Sequence, residues 1–206
     1  MSFSTIIPTN DKLIRAALIK DLKDLYREDK DAKIVEEFGV TYGAARVDVA
    51  VVNGVMHGYE LKSDLDTLNR LPEQMKHYNS VFDQVTLVVG KNHLHEAIKI
   101  IPDWWGVTIA KIEAGCDVVS FCLIREAEQN PAQDKRSIAS LLWKDEALNF
   151  LEEVGCARGV RSKDRSTIHT RLAEVVEMEL LKNKTRFYLC SREDWQPALL
   201  CTPYGD

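Results

Sequence analysis

The spacing of apolar residues near the N-terminus is helical. In TNDKLIRAALIKDLKDLY the apolar side chains recur every three or four residues, and Thr9, Asn10 or Asp11 can cap the first turn. We therefore predict a helix over residues 11–27. The following segment, REDKDAKIVEEFG, is interpreted as a second helix, or as an extension of the first, that stops at Gly39.

The next apolar pattern has the two-residue period of a strand. ARVDVAVVNG alternates and is rich in valine, and VMHGYELKS continues after it. Asn53-Gly54, between the two segments, is the strongest short hairpin signal that a sequence can carry. We predict hairpin arms over residues 46–53 and 55–62, joined by a two-residue turn.

Helix and strand patterns then alternate along the chain. The apolar residues from Leu68 to Phe82 have helical spacing, and because Pro72 is tolerated only in a first turn, this helix should begin near Leu71. QVTLVVG is a continuous apolar run, which is typical of a buried, parallel strand. HLHEAIKII predicts a short helix ended by Pro102, and WGVTIAKI and DVVSFCLI predict two more strands. The order helix, strands, helix, strand, helix, strands indicates an α/β core.

The composition changes beyond these strands. REAEQNPAQDKRS is interpreted as a linker, and both SIASLLWKDEALNFLEEVG and DRSTIHTRLAEVVEMELLKN have helical periodicity. We predict a core over residues 1–128 and a mostly helical extension over residues 137–206. The segment CARGVRSKDRS, between the two helical stretches, is interpreted either as a basic solvated loop or as a nucleic-acid-binding arm.

Charge and cysteine content narrow the class of protein. The chain has 206 residues, a formal net charge of −5 and a pI of about 5.6. This balance argues against a protein coated in positive charge for non-specific nucleic-acid binding, and it is compatible with a local basic groove. The five cysteines form no CxxC pair, which argues against a zinc ribbon or a disulfide framework and favours a cytoplasmic location. No apolar run is long enough to cross a membrane, so no membrane partner is expected.

The predicted hairpin carries a set of charged residues that could perform chemistry. Residues two apart on a strand share a face, so Glu60 and Lys62 should point the same way. Pairing across a two-residue turn places Asp48 opposite Tyr59, or near Glu60 if the register shifts by one residue. Each residue taken alone is explained by a solvated strand face, and the Glu-Lys pair by an ion pair of little energetic value.

Taken together, the same residues suggest a metal site. Asp48 and Glu60 have apolar neighbours, and two converging carboxylates repel each other unless a cation lies between them. Hard divalent cations such as Mg²⁺ prefer carboxylate and water oxygens. Lys62 beside such an ion could activate water or stabilise a charged phosphate transition state. The expected cofactor is therefore Mg²⁺ or Mn²⁺, held by Asp48 and Glu60.

This pattern resembles the PD-(D/E)xK motif of the restriction-endonuclease-like nuclease superfamily. The match is "VD", then eleven residues, then "ELK", with Val47 in place of the family's proline. The resemblance covers about residues 12–124 and implies an α-β-β-β-α-β core whose catalytic residues match Asp48, Glu60 and Lys62. The mostly helical extension lies outside it.

Further positions match features that many members of the superfamily share. A glutamate on the helix before the hairpin corresponds to Glu36 or Glu37, of which Glu37 is favoured. A Gln-x-x-x-Tyr motif corresponds to Gln74 and Tyr78, which lie four apart and hence on one helical face. These two residues are expected to bind substrate, together with the phosphate-contacting side chains Arg46 and Arg70.

Two classes of function follow from these patterns. The first is a Mg²⁺-dependent nuclease, a phosphodiester hydrolase that acts on nucleic acid, with DNA expected over RNA, in bacterial or phage repair, recombination or defence. The second is a non-catalytic module that keeps the nuclease fold and binds nucleic acid or protein, with the C-terminal helices as the interface for a homodimer or a partner protein. The complete acid-acid-lysine set favours the first class.

Overall fold

The structure is a computed structural model that describes residues 6–113 and 118–192, and it has a mixed α/β architecture. Within these ranges, the strands are β1 (Ile6–Ile7), β2 (Lys33–Val40), β3 (Ala45–Val52), β4 (Met56–Lys62), β5 (Gln84–Gly90), β6 (Gly106–Glu113) and β7 (Val119–Arg125). The helices are α1 (Asp11–Leu25), α2 (Leu71–Val81), α3 (Leu94–Ile100), α4 (Lys135–Ala139), α5 (Lys144–Glu153), α6 (Arg165–Val175) and α7 (Met178–Ser191).

All the described strands belong to one mixed sheet. Its order is β1-β6-β5-β4-β3-β2, and β7 also pairs with β6. The neighbours of β3 are antiparallel, whereas β5 runs parallel to both β4 and β6. The prediction of a parallel strand from QVTLVVG is confirmed, because a strand covered on both faces is apolar throughout.

The prediction of a second N-terminal helix is wrong. Residues of that segment form β2, whose alternating burial places Val35, Phe38 and Val40 inside the molecule. The charged run before β2 resembles the exposed surface of a helix. The strand is nevertheless more stable, because pairing with β3 buries the valine and phenylalanine side chains against an apolar layer. The first helix is confirmed: α1 is capped by Asn10, whose side chain accepts a hydrogen bond from the Leu13 N–H.

The hairpin is confirmed, with a turn one residue longer than expected. Val52 pairs with Met56, and the Asn53 N–H donates to the Val55 carbonyl, so the connection has three residues. The register is therefore shifted by one residue, and Val49 pairs with Tyr59. This shift sets Asp48 level with Glu60, within the one-residue range allowed by the sequence.

Helices cover both faces of the sheet. On one face Ile14, Leu18 and Leu22 of α1 pack against alternate residues of β3 and β4. On the other face α2 contributes Tyr78 and Val81 to the main core. The helix α2 begins at Leu71, as Pro72 in its first turn predicts.

The C-terminal helices bury an apolar cluster of their own, which includes Phe150 and Leu172. They also contact the sheet: Asp83, the residue before β5, pairs with Lys182 and Arg186 of α7. The expected linker is well packed, because the buried Asn130 amide donates to two backbone carbonyls. The division at residues 128 and 137 stays a prediction, and residues 193–206 of the expected extension lie outside the described ranges.

None of the described helices is both long enough and apolar enough to cross a membrane.

Candidate functional site

A pocket of about 590 Å³ opens beside β3 and β4. It is lined by nearly all the residues that the sequence marked as site residues: Glu37, Arg46, Asp48, Glu60, Lys62, Arg70 and Gln74. It is also lined by Asp66, which the sequence leaves open between support for the site and an acidic helix N-terminus, and by four residues with no predicted role there: Asp11, Arg15, Glu73 and His77. The fold thus gathers α1, the hairpin strands and α2 around one opening.

Asp48 is held on β3 by two hydrogen-bond donors. Its Oδ2 accepts from the Leu61 N–H at 2.7 Å, and its Oδ1 lies 2.6 Å from Arg15 Nη2. Burial raises the pKa of the Asp48 carboxyl, while the Leu61 N–H and the Arg15 guanidinium act in the opposite direction. Burial prevails, so the Asp48 carboxyl holds its proton more tightly than an exposed aspartate does.

Glu60 is almost fully buried and contacts the lysine of the motif. Its Oε1 accepts from Lys62 Nζ at 2.5 Å, which confirms that these side chains share a face. Its Oε2 lies 2.7 Å from the Tyr78 hydroxyl. Burial, with a further contribution from the charge of Asp48, raises the pKa of Glu60 to about 7. The charge of Asp48 thus acts on Glu60, and the use of these two carboxylates as a metal site stays a prediction.

The Tyr78 hydroxyl also contacts the Glu60 carboxyl group. Its hydroxyl lies within hydrogen-bond distance of both Glu60 Oε2 and the Arg46 carbonyl, at 2.7 and 2.6 Å. A single O–H can donate to only one acceptor. When Glu60 is protonated it donates to the Tyr78 oxygen and leaves the Tyr78 proton for the Arg46 carbonyl, so both contacts are satisfied. When Glu60 is charged, the Tyr78 hydroxyl donates to it and lowers its pKa, an effect that burial outweighs.

Gln74 and Tyr78 occupy different positions in the site. Tyr78 has no exposed surface and lies behind Glu60, so its contacts orient the carboxylate. Gln74 lines the pocket and donates to the Tyr78 oxygen at 3.3 Å. Its Oε1 is buried and has no hydrogen-bond partner within the described ranges. An acceptor of this kind suits a donor brought by water or substrate.

Glu37 reaches the pocket from a strand, so the prediction that it lies on a helix is wrong. The pairing of β2 with β3 has the same register before and after it, which sets Glu37 level with Asp48. Its φ of 53° is unusual for a residue with a side chain. Its carboxylate lies 2.7 Å from Arg15 Nη1 and 3.6 Å from Arg46 Nη1. These ion pairs help to hold the unusual conformation.

Arg15 is the main residue that sequence reasoning missed. Its guanidinium contacts Asp11, Glu37 and Asp48, which belong to α1, β2 and β3. It also donates to the Asp48 carbonyl at 2.9 Å. The only local signal is its spacing of four residues from Asp11. The other two contacts depend on the tertiary fold.

The donor chemistry of the pocket fits a hard divalent cation, although the number of protein ligands is small. Asp48 and Glu60 supply carboxylate oxygens, and Mg²⁺ usually keeps several waters when bound by one or two carboxylates. In the described part of the chain, no group of three or more His, Cys, Asp or Glu side chains is arranged to hold a metal ion. Cation binding would also have to compete with Arg15 for Asp48 Oδ1.

The lining of the pocket is acidic on balance. Six carboxylate side chains face four cationic ones. Two of the cations, Arg46 and Arg70, are exposed to solvent, where they could contact a phosphate.

Comparisons with known proteins give a family. The model of the family described as Bacteriophage P4 protein cII matches residues 8–199. Protein cII of Enterobacteria phage P4 is 28% identical over 159 residues, which cover 77% of this chain and 57% of that protein. The chain thus spans just over half the length of this curated relative. A solved structure of a protein of unknown function from Silicibacter pomeroyi has 18% identity and a TM-score of 0.40, covering 74% of this chain and 94% of the other.

Proposed function

The chain belongs to the bacteriophage P4 protein cII family, and we propose that it is a metal-dependent nuclease that hydrolyses phosphodiester bonds, with DNA the expected substrate. One observation carries the proposal. Asp48, Glu60 and Lys62 line the same pocket, and Lys62 Nζ lies 2.5 Å from the nearly buried Glu60. Buried carboxylates and a lysine in one open pocket are costly to maintain without a chemical role.

The order of the elements supports membership of the PD-(D/E)xK superfamily. Around the pocket the chain runs α1, β2, β3, β4, α2, β5, which follows the α-β-β-β-α-β order that the resemblance implies. Asp48 lies on the second of these strands and the Glu60-Lys62 pair on the third. The phage source of the curated relative supports a phage setting.

Each residue of the pocket has a separate role in the proposed reaction. Asp48 and Glu60 would hold Mg²⁺ or Mn²⁺, which when bound polarises a phosphate oxygen and makes a water molecule easier to deprotonate. Lys62 stabilises the negative charge that builds up on the phosphate as the water oxygen bonds to phosphorus and the bond to the sugar oxygen breaks. The proton of the water passes to solvent, and the departing sugar oxygen takes up a proton from solvent. Gln74 Oε1 accepts a hydrogen bond from the attacking water or the substrate.

The protonation of Glu60 makes the proposed activity depend on pH. A carboxyl group with a pKa of about 7 is largely protonated below neutral pH and binds a cation poorly in that form. Cation affinity and cleavage should therefore rise as the pH increases through 7.

A cleavage assay tests the proposal. The purified chain is incubated with linear duplex, circular duplex and single-stranded DNA and with RNA, in Mg²⁺, Mn²⁺ or EDTA. We expect cutting that needs the metal and is lost in both Lys62→Ala and Glu60→Gln. Lys99→Ala, which removes an exposed lysine on α3, serves as the control. Cutting that persists in Lys62→Ala would contradict the proposal.

A second candidate function is a non-catalytic binding module that retains the nuclease fold. The contact between Arg15 and Asp48 at 2.6 Å favours it, because a guanidinium can neutralise the carboxylate in place of a metal ion. In that case the chain binds nucleic acid or a protein, but neither binds Mg²⁺ in the pocket nor cuts. Absence of cutting on every substrate, together with absence of metal binding, would favour this function.

A further inference from the structure

The acidic balance of the pocket poses a problem for any nucleic-acid substrate. Its lining has more carboxylates than cations, and the chain as a whole carries a formal net charge of −5. Nucleic acid is a dense polyanion whose affinity for proteins depends on cations that neutralise phosphates. A pocket of this kind can align one phosphate, but the binding strength should come from another part of the surface.

The C-terminal helices provide a surface with the required charge. Five cationic residues lie on α6 and the loop that precedes it, and we call them the basic face: Arg158, Arg161, Lys163, Arg165 and Arg171. Asp164 is the one acidic residue among positions 158–171, and it is engaged in capping α6. Charge is thus segregated between the two parts of the molecule.

Most cations of the basic face are not neutralised. Within the described ranges, Arg158, Lys163 and Arg165 have no carboxylate at ion-pair distance. The other two have partners at the surface: Arg161 Nε lies 3.0 Å from Glu152, and Arg171 Nη1 lies 3.8 Å from Glu174. Charges left unpaired in this way remain available for an anionic partner.

A second pocket, of about 490 Å³, lies within this face. Arg158 and Arg171 line it, together with one carboxylate, that of Glu174, and the hydroxyl-bearing residues Ser166, Thr167 and Thr170. Arg171 Nε is buried and has no hydrogen-bond partner in the described part of the chain. A donor without a partner, beside a second arginine, can donate a hydrogen bond to a phosphate oxygen.

The basic face is connected to the first pocket through one turn. Arg165 lies over the ring of Tyr42, 4.6 Å from its centroid, and the Tyr42 hydroxyl lies 2.8 Å from His169 Nδ1 on α6. Gly43, the next residue along, lines the first pocket. A single extended ligand could therefore contact both surfaces by passing along this turn.

We infer that the basic face binds the phosphate backbone of the nucleic acid whose phosphodiester bond lies in the first pocket. The inference rests on the proposed function for the identity of the ligand. Binding would depend on backbone charge, so it would vary little with base sequence and would weaken as salt increases.

The test measures binding without cleavage. Fluorescence anisotropy follows labelled duplex DNA, single-stranded DNA and RNA with the full chain in EDTA, over a series of salt concentrations. The basic-face variant is Arg158→Gln/Lys163→Gln/Arg165→Gln. The matched control is Lys20→Gln/Lys23→Gln/Lys30→Gln on and after α1, which removes the same charge from exposed positions elsewhere.

We expect the basic-face variant to bind about 10- to 100-fold more weakly than the parent, and the slope of log affinity against log salt to fall by about 2 to 3. The control should change both quantities much less. The double variant Arg158→Gln/Lys163→Gln keeps the contact between Arg165 and Tyr42, and its affinity should lie between those of the basic-face variant and the control. Thermal unfolding at the same temperature as the parent shows that each variant folds.

Three results would overturn the inference: no binding of any nucleic acid by the parent, unchanged binding by the basic-face variant, or an equal loss in the control. Unchanged binding would instead leave this face to an acidic protein partner. The proposed nuclease activity can fail separately. If the parent binds nucleic acid through the basic face but cuts nothing in Mg²⁺, the inference stands and the nuclease proposal fails. If the parent cuts DNA and the basic-face variant binds DNA as tightly as the parent, the nuclease proposal stands and the inference about the basic face fails.

Discussion

The first pocket and the basic face differ in how their charges are arranged. In the pocket Asp48 and Glu60 are half-buried and buried, and each of their carboxylate oxygens has a close donor. On the basic face the cations are mostly exposed and without carboxylate partners. A site whose charges are fixed in advance suits chemistry, and one whose charges face solvent suits binding. The two regions should therefore respond to mutation in different ways.

The largest expected effect separates catalysis from binding. Asp48→Asn should reduce Mg²⁺-dependent cleavage about 1000-fold or more, because the proposed metal site loses a charged ligand. The same change should leave the affinity for DNA in EDTA near that of the parent. Cleavage rates at saturating DNA and anisotropy in EDTA check the two quantities on one preparation.

The basic-face variant provides the reciprocal control. It should bind DNA weakly and yet cut near the parent rate once DNA is saturating. If Asp48→Asn and the basic-face variant lost cleavage and binding in equal proportion, the division of labour between the two regions would be wrong.

The second effect concerns stability as a function of pH. The pKa of Glu60 is raised from 4.5 to about 7, so folding favours the protonated form. Its contribution to stability is complete below pH 4.5 and is lost as the pH rises through 7. At about 1.4 kcal/mol for each pKa unit, the free energy of unfolding should fall by up to about 3 kcal/mol. Urea unfolding at several pH values measures this fall.

Glu60→Gln isolates the contribution of this one carboxyl. The amide is neutral at every pH, so the variant should lose most of the decline, even though the buried Lys62 also loses its carboxylate partner in it. An equal decline in the variant and the parent would show that other groups cause the pH dependence.

The third effect tests the network around Arg15. Arg15→Gln leaves Asp48 and Glu37 without their shared cation, and the side chain of Arg15 is only 17% exposed. Because these carboxylates are partly solvated, we expect a loss of about 2 kcal/mol, below the cost of breaking a fully buried pair. Arg27→Gln is the control: it breaks an exposed ion pair between Arg27, just after α1, and Asp24 in the last turn of α1, where about 0.5 kcal/mol or less is expected. Equal losses would contradict the role given to Arg15.

The smallest effect concerns the turn that joins the two regions. Tyr42→Phe removes the hydrogen bond to His169 Nδ1 and keeps the ring beneath Arg165. A loss of about 1 kcal/mol in the free energy of unfolding is expected. Tyr26→Phe offers a comparison at a tyrosine outside this contact. A Tyr42→Phe variant as stable as the parent would mean that this hydrogen bond does not fasten the basic face to the turn.

Sequence patterns were informative where the structure depends on neighbouring residues. The valine alternation and Asn53-Gly54 predicted the hairpin, and Pro72 marked the first turn of α2. The hairpin register then brought Asp48, Glu60 and Lys62 into one pocket, because side-chain direction in a strand follows from position alone. The PD-(D/E)xK-like motif could be recognised from the sequence because the positions of its residues on the two strands determine which side chains meet.

Prediction failed where contacts distant in sequence decide the outcome. The segment before Gly39 has the charges of a helix surface, and only its pairing with β3 makes it a strand. Arg15 contacts Asp48 across 33 positions, and Tyr42 contacts His169 across 127. No local periodicity reports such contacts, so both the cation in the pocket and the turn beneath the basic face required the structure.

Titration of the parent chain with Mn²⁺ tests most directly whether the pocket is a metal-dependent catalytic site. Electron paramagnetic resonance measures free and bound ion at pH 8 and at pH 6, with Asp48→Asn as the comparison. We expect a bound ion at pH 8, weaker binding at pH 6 where Glu60 is protonated, and loss of that ion in Asp48→Asn. The proposed site would be contradicted if the parent chain bound no Mn²⁺ at pH 8. It would also be contradicted if Asp48→Asn bound Mn²⁺ as tightly as the parent chain.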